Sequence, residues 1–421
     1  MDRWTTIPLG PWPGTDRELL RKESHLLERY DPELERDLLF VGASRYISIP
    51  PGHPDPFGAW QQFVAETPGW SFGALSYDLK NAVEDLASRD NGTGGFPLLV
   101  WAVPRFVLEL SAGEALLHAP RESTDDLEKE ARRLCGVPLS GLRTRTLVWQ
   151  ELTDKATYMS RAKLLLDHVR RGDIYEVNYC TERRADGNGW DPFRAWEGML
   201  RKGRAPHSAF LRLGDHFALC ASPERFLRFT GRHVVAEPMK GTRPRHPDPD
   251  TDLALAEELR TNEKERSENV MAVDVMRNDL ARVAAPGTVH VEELFGVQSH
   301  SKVHQLVSKV VAEVRGDAGS MDVVRAAWPM ASMTGAPKLR AMQLIDEAEE
   351  MGRGLFSGSI GWFGPEGTGD LNVVIRTVIF DAKACQCSLS TGSALTALCD
   401  LEQEWEECQL KARSVIEALE G

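Results

Sequence analysis

The sequence predicts an α+β fold with antiparallel sheet, on three observations. Strand-like runs that end in turns recur at residues 98–110, 174–180, 216–221 and 232–236. Two further runs, 358–363 and 372–380, are joined by Gly364-Pro-Glu-Gly-Thr-Gly369, whose composition is that of a hairpin loop. Amphipathic helical patterns separate the strands without the strict βαβ alternation of a parallel sheet.

Taken in order, the first third is punctuated by Pro11-Trp-Pro-Gly14, Pro50-Pro-Gly-His-Pro-Asp-Pro56 and Asn91-Gly-Thr-Gly-Gly95, which read as loops between short strands. From Leu98 the residues Val100, Ala102, Phe106, Val107, Leu108 and Leu110 cluster as strand formers do. Charged residues dominate 121–133, an exposed helix or linker. Residues 154–171 predict an amphipathic helix, with Leu164, Leu165, Leu166 and Val169 on its apolar side and Gly172 as its stop. The stretch 252–283 reads as one long helix ended by Pro286-Gly287, and 400–419 as a C-terminal amphipathic helix. There is no internal repeat, heptad run or low-complexity segment.

The composition sets bounds. Of 421 residues, 50 are basic and 63 acidic, a formal charge of −13, with 42% hydrophobic and 27% charged. This is the balance of a soluble globular chain, long enough for a sizeable core. The acidic excess argues against nucleic acid or an anionic membrane as the main partner, since both attract positive surfaces. No run approaches a membrane span, and the first residues lack the apolar centre of a secretion signal. Seven cysteines without a regular spacing predict reduced thiols in a cytoplasmic compartment. Cys385-x-Cys387 has no second ligand pair and reads as strand. Walker A, GxGxxG, HExxH and GxSxG are absent. Ser160-x-x-Lys163 lacks the companion motifs of an acyl-serine enzyme, and Asn91-Gly-Thr93 is a formal sequon idle in a cytoplasmic protein.

Four segments could carry chemistry. Glu265 and Glu268 lie three apart on a predicted helix, and so do Glu404 and Glu407, with Lys411 one turn on. Two such pairs suit a hard divalent cation, Mg²⁺ above all; merely solvated faces would give the same spacing. Pro238-Met-Lys240-Gly-Thr-Arg-Pro-Arg245 places a lysine in a stiff stretch. Burial or the neighbouring Arg243 and Arg245 would lower its pKa and make it a nucleophile, the alternative being a solvated basic turn. Ser222-Pro-Glu224 puts a carboxylate on a turn after a strand, a general acid if burial raises its pKa.

Read together, these segments resemble the chorismate-utilising enzymes. The matching stretches are Gly172-Asp-Ile-Tyr-Glu-Val-Asn178, Ser222-Pro-Glu-Arg-Phe226, Pro238-Met-Lys-Gly-Thr-Arg243 and Glu268-Asn-Val-Met-Ala-Val-Asp-Val-Met-Arg-Asn-Asp-Leu280. They continue with Ser332-Met-Thr-Gly-Ala-Pro-Lys338, Gly358-Ser-Ile-Gly361, Ile375-Arg-Thr377 and Glu404-x-x-Glu407-x-x-x-Lys411, in the family's order. The likeness is specific from Gly172 onward. It is looser before that, although Gly73-Ala-Leu-Ser-Tyr-Asp-Leu-Lys80 resembles a family segment.

The resemblance implies one α+β unit of two packed, largely antiparallel β-sheets with flanking helices and the active site between the sheets. Residues 1–150 would be an N-terminal subregion of that fold and 151–421 the chorismate-binding catalytic region. It implies Glu268 and Glu407 as Mg²⁺ ligands, Glu265 and Glu404 in support, and a metal that holds the ring carboxylate of chorismate. Arg376 would pair with a substrate carboxylate, where a guanidinium fork suits two oxygens. Lys411, Ser332, Gly392, Thr242 and Gln305 would complete the substrate site.

Lys240 separates the relatives. Anthranilate synthases carry alanine at this position and aminodeoxychorismate synthases carry lysine, so the resemblance implies amination of chorismate at ring carbon 4, with Lys240 as covalent nucleophile and Glu224 as general acid. Anthranilate synthase, isochorismate synthase and a non-catalytic chorismate-binding regulatory subunit are the alternatives. No amidotransferase signature and no fused lyase is present, so ammonia is expected free or from a separate glutamine amidotransferase subunit, with the product feeding 4-aminobenzoate and folate synthesis. The chain also departs from the family. Glu176 stands where amine-using relatives have Gln, and is expected to accept a proton from incoming ammonium. Gln305, beside His304, stands at a usual histidine. Phe356 and Trp362 replace common tyrosines, and Gly392-Ser-Ala394 lacks a second glycine.

Overall fold

A computed structural model describes residues 3–86, 95–136, 144–300 and 302–419. The Asn91-Gly-Thr-Gly-Gly95 loop and its sequon therefore lie, but for Gly95, outside the described residues. Two sheets dominate, and the strand pairs within both are antiparallel. The larger has 12 strands among the described residues. From one edge they run Trp4–Pro11, Glu114–Pro120, Phe106–Ser111, Arg36–Val41, His25–Asp31, Ala209–Leu213, His216–Cys220, Thr377–Asp381, Gln386–Thr396, Glu176–Asp186 and Gly335–Ala336. Trp149–Glu151 also pairs with Glu176–Asp186. The smaller has 10, in the order Met239–Pro244, Val303–Glu313, His233–Ala236, Arg225–Thr230, Gly369–Asn372, Ser359–Phe363, Ser71–Leu75, Leu99–Val103 and Arg45–Ile49, with His290–Ser299 beside Val303–Glu313.

The sheets pack face to face because each strand turns one apolar set inward. Leu27, Phe40 and Leu211 of the larger sheet meet Phe72, Trp101, Leu227 and Trp362 of the smaller in one buried cluster. Each such side chain is worth about 1.5–3 kcal/mol of burial. Arg29, Arg225, Asp370 and Glu237 form a buried charge cluster that bridges the same layer, with Arg29 2.6 Å and Arg225 3.0 Å from Asp370. The outer face of the larger sheet, through Phe210, Phe217 and Phe380, packs on Trp190 and on helix Pro192–Lys202. That helix starts where Asp191 accepts the N–H groups of Phe193 and Arg194, with Pro192 in its first turn. Helices Lys155–Arg171, Lys338–Ala348 and Leu401–Leu419 cover the strand Glu176–Asp186, with Tyr158 stacked on Tyr179 and tilted against Trp405. Asp154 caps the first of these helices and Gly172, at φ 81°, ends it.

Strands from residues 1–150 and from the rest of the chain interleave in both sheets. His25–Asp31 pairs with Ala209–Leu213, and Ser71–Leu75 with Ser359–Phe363.

Three expectations change. The helix expected over 252–283 is two, Pro249–Thr261 and Glu263–Ala281. Asn262 breaks it: its backbone turns extended (ψ 121°) and its side chain accepts the Glu265 N–H, which starts a new helix. The run 372–380 is not one strand. Gly369–Asn372 closes the expected hairpin with Ser359–Phe363, then 373–376 crosses to the other sheet, which Thr377–Asp381 joins. The apolar stretch from Leu98 likewise divides between the sheets, as Leu99–Val103 and Phe106–Ser111, at Pro104, which has no N–H to give a ladder. Periodicity cannot register a change of sheet within an apolar run.

Candidate active site

Two of these inter-sheet crossings build the site. Residues 221–224 carry the chain from His216–Cys220 to Arg225–Thr230, and 373–376 carry it back to Thr377–Asp381. They lie side by side: Val373 N–H donates to the Glu224 carbonyl at 3.1 Å and Ala221 N–H to that of Arg376 at 3.1 Å. The two segments are therefore neighbours, with Glu224 opposite Val373 and Arg376 opposite Ala221. Arg376 takes a left-handed backbone (φ 51°) to make the crossing. Its guanidinium forms no hydrogen bond or ion pair among the described residues, and Glu407 is the carboxylate whose field reaches it.

Glu224 is buried. Its backbone N–H donates to Ser222 Oγ at 3.2 Å. Burial pushes its carboxyl pKa up to about 7, against the opposing pull of the Ser332 hydroxyl, Lys240, Lys411 and the Met239 N–H. The carboxyl is thus half protonated near neutral pH, as a proton donor needs.

Lys240 enters from the edge strand of the smaller sheet. Gly241, at φ 76°, forms a bulge against Val303–Glu313. A Cβ there would lie 2.6 Å from the Glu265 carboxylate. The Lys240 ammonium is buried at 8% exposure and ion-paired with Glu176, itself at 3%, on the larger sheet. Glu176 is held in turn by the Ser332–Lys338 loop, because Gly335 pairs beside it and a Cβ there would stand 2.0 Å from the Glu176 carbonyl. Here the expectation of a lowered amine pKa fails. Burial does work against the ammonium, but the carboxylates of Glu176, Glu268 and Glu224 outweigh it and hold Lys240 above its ordinary range. Arg243 and Arg245 do not assist, since Arg243 engages Glu258 at 2.6 Å and Glu265 at 3.3 Å, and Arg245 engages Asp252 at 2.8 Å. Lys240 rests as an ammonium whose proton faces Glu176.

The two acidic helices approach one another here. Glu268 on Glu263–Ala281 and Glu404 on Leu401–Leu419 are both buried, and Lys264 lies between them. Glu407 pairs with Lys411 at 2.7 Å, and Lys411 donates to the Gly392 carbonyl at 2.8 Å. Burial favours the neutral acid at Glu407, but Lys411, Lys264 and Lys240 hold its pKa below the ordinary value. At Glu268 burial prevails, and its pKa rises to about 7. Its Oε1 is buried without a hydrogen-bond partner. Glu265 sits slightly apart, against Gly241 and Arg243.

No three acidic, His or Cys side chains among the described residues form a closed metal cage. The donors are nonetheless all carboxylate oxygens, one of them buried and unsatisfied. They fit a hard cation that takes one or two carboxylates and fills its remaining positions with water and substrate oxygen.

The remaining expected residues divide. Ser332 faces Glu224, and its carbonyl accepts Asn178 Nδ2 at 3.2 Å. Gly392 must be glycine, because a Cβ would lie 2.5 Å from Cys180 Sγ and 2.6 Å from Asn178 Oδ1. Thr242 and Gln305 face one another across the strand pair. Gln305 is buried beside His300, and no hydrogen bond among the described residues joins it to Glu224 or Glu176. His304 bridges Ser299 at 2.8 Å and Asp252 at 2.9 Å, a structural tie. Phe356 and Trp362 belong to the inter-sheet core.

Sequence reasoning missed two features. The buried pair Arg353–Glu349 rivets the site from behind: Arg353 donates to the carbonyls of Met333 at 2.6 Å and Asn178 at 2.8 Å, while Glu349 accepts the Cys180 N–H at 2.9 Å. Its only signal was an i,i+4 acid–base pair, which reads equally as a surface salt bridge. Lys264, four residues before Glu268, gave the same signal.

Comparison with known proteins shows the family and the fold. The profile described as chorismate binding enzyme matches residues 45–417. An aminodeoxychorismate synthase from Streptomyces griseus is 37% identical over 84% of this chain and 50% of its own length. The chain thus spans half of that relative. Anthranilate synthase component 1 from Thermus thermophilus is 35% identical over 84% of this chain and 78% of its own. In three dimensions, anthranilate synthase component I from Streptococcus pneumoniae TIGR4 superposes with a TM-score of 0.76 at 21% identity, covering 99% of this chain and 92% of that one. With two packed antiparallel sheets, flanking helices and a profile match over most of its length, the chain belongs to the chorismate binding enzyme family.

Proposed function

We propose that the chain aminates chorismate at ring carbon 4, giving 4-amino-4-deoxychorismate, as an aminodeoxychorismate synthase component does. Overall identity does not choose between this and anthranilate formation, since relatives of both kinds stand at similar distance. The observation that carries the reading is the buried Lys240 ammonium, paired with Glu176 and within the field of Glu224. An enzyme that adds its nitrogen or oxygen directly has no use for a buried amine in that position.

In this reading Arg376 binds a substrate carboxylate, and Lys411 with the Gly392 backbone borders the same anion site. Glu176, expected from the sequence to take a proton from incoming ammonium, in this reading first takes the proton from Lys240. The freed amine adds at ring carbon 2, the ring double bond shifts, and the carbon 4 hydroxyl leaves as water with the proton of Glu224. Ammonia then adds at carbon 4, the bond from carbon 2 to nitrogen breaks, and Lys240 departs as the amine. Two allylic displacements replace one difficult substitution. Mg²⁺, held by Glu268 and Glu407 with Glu404 and Glu265 behind them, would supply a positive charge that orients and polarises the ring carboxylate.

Ammonia would come from solution or from a separate glutamine amidotransferase subunit, in the cytoplasm, and the product would feed 4-aminobenzoate and folate synthesis. No described helix is long and apolar enough to cross a membrane. The test is product analysis after incubation with chorismate, Mg²⁺ and ammonium. Aminodeoxychorismate is expected; anthranilate or isochorismate as the product would refute the assignment.

A further inference from the structure

The carboxylate site already holds a cation of its own. Lys264 stands one helical turn before Glu268, and its Nζ reaches across to the other acidic helix, 2.7 Å from Glu404 Oε1. The same nitrogen is 3.9 Å from Glu268 Oε1, the buried oxygen that accepts no hydrogen bond. Glu404 is almost fully buried, and the Lys264 ammonium is its hydrogen-bond donor. Two helices more than a hundred residues apart in the chain are therefore joined by one positive charge, among the oxygens a divalent ion would use.

An ammonium and a divalent ion compete for the negative charge of those carboxylates. The ammonium brings one charge on a flexible four-carbon stem; the divalent ion brings two and requires direct oxygen contact. Without any cation, two buried carboxylates would face one another at a cost that the low local dielectric enlarges. Lys264 also has a way out, because its side chain keeps 36% of its exposure.

We infer that Lys264 is the resident counter-ion of Glu268 and Glu404, and that an entering divalent cation displaces its ammonium into solvent. Lys264 is then a positioning residue that holds the two helices at metal-binding separation between loadings. The inference rests on the reading of these glutamates as the Mg²⁺ site. It differs from a permanent structural bridge, which would stay closed when the metal binds.

The test labels the wild-type chain with a short pulse of an amine-acetylating reagent and reads each lysine by peptide mass spectrometry. Samples contain no divalent ion, Mg²⁺ alone, or Mg²⁺ with chorismate, and calorimetry on the same samples reports Mg²⁺ binding. Displacement predicts that Lys264 labelling rises several-fold on Mg²⁺ binding while the exposed Lys163 stays unchanged. The variant Lys264→Met keeps the stem and removes the charge. It should bind Mg²⁺ about tenfold tighter and melt at lower temperature than wild type without metal. Mg²⁺ binding with unchanged Lys264 labelling, or equal or weaker Mg²⁺ affinity in the variant, would overturn the inference. If neither protein binds Mg²⁺ under any of these conditions, the metal reading itself fails.

Discussion

Replacing Glu224 by Gln should trade activity for stability, by an amount the structure sets. The Glu224 carboxyl has a pKa of about 7 in the folded chain against an ordinary 4.5. At 1.36 kcal/mol per unit, ionising it inside the protein costs about 3 kcal/mol relative to the unfolded chain. The folded state binds the extra proton between those two values. The stability this group contributes is therefore complete below about pH 4.5 and is lost as pH rises through about 7. Glutamine removes the titration but keeps a carbonyl oxygen that can accept from Ser332 and Met239. Urea unfolding of both proteins at about pH 4.5 and about pH 8 would show it. The variant should gain about 3 kcal/mol on wild type between the two conditions, while turnover falls ~10²–10⁴-fold with the loss of the proton donor. Parallel stability curves for the two proteins would refute the argument that burial raises this carboxyl.

Other outcomes follow from single contacts. Gly335→Ala drives a Cβ into the Glu176 carbonyl at 2.0 Å and should cost about 2–4 kcal/mol in urea unfolding; an unchanged midpoint contradicts the packing argument. Arg353→Met leaves Glu349 as an unpaired buried charge and should cost about 3–5 kcal/mol by the same measurement, so a cost near zero would remove the pair from the site's support. Glu176→Gln takes away the acceptor for the Lys240 proton. Ammonia-dependent turnover near neutral pH should fall ~10²-fold and recover partly at alkaline pH, whereas an unchanged pH profile would exclude the role.

How much of this was legible in the sequence depended on the range of the cause. Local causes were readable: the Asp154 cap and Gly172 stop gave one helix its limits, and the Gly364–Gly369 composition gave a hairpin. The acidic pairs were readable as pairs because helical spacing is a local property. Two kinds of feature were not. The crossings at 221–224 and 373–376 run side by side, but a strand that leaves one sheet for the other keeps the same apolar alternation, so 372–380 read as a single strand. The electrostatic setting of Lys240 was inverted for a related reason. Arg243 and Arg245 are its neighbours in sequence, while Glu176, Glu268 and Glu224 are its neighbours in space. Asn262 could have been read as a helix start, since Asn-x-x-Glu is a capping pattern. Helix-forming residues on both sides concealed it.

The central claim is that Lys240 bonds the substrate ring once Glu176 has taken its proton. The most direct measurement is the intact mass of the chain after incubation with chorismate and Mg²⁺ and without ammonia. The account predicts a species heavier by one chorismate less one water, mapped by peptide analysis to Lys240, absent from Lys240→Ala, and discharged as aminodeoxychorismate when ammonium is added. A Lys240→Ala variant that forms aminodeoxychorismate at the wild-type rate would contradict it.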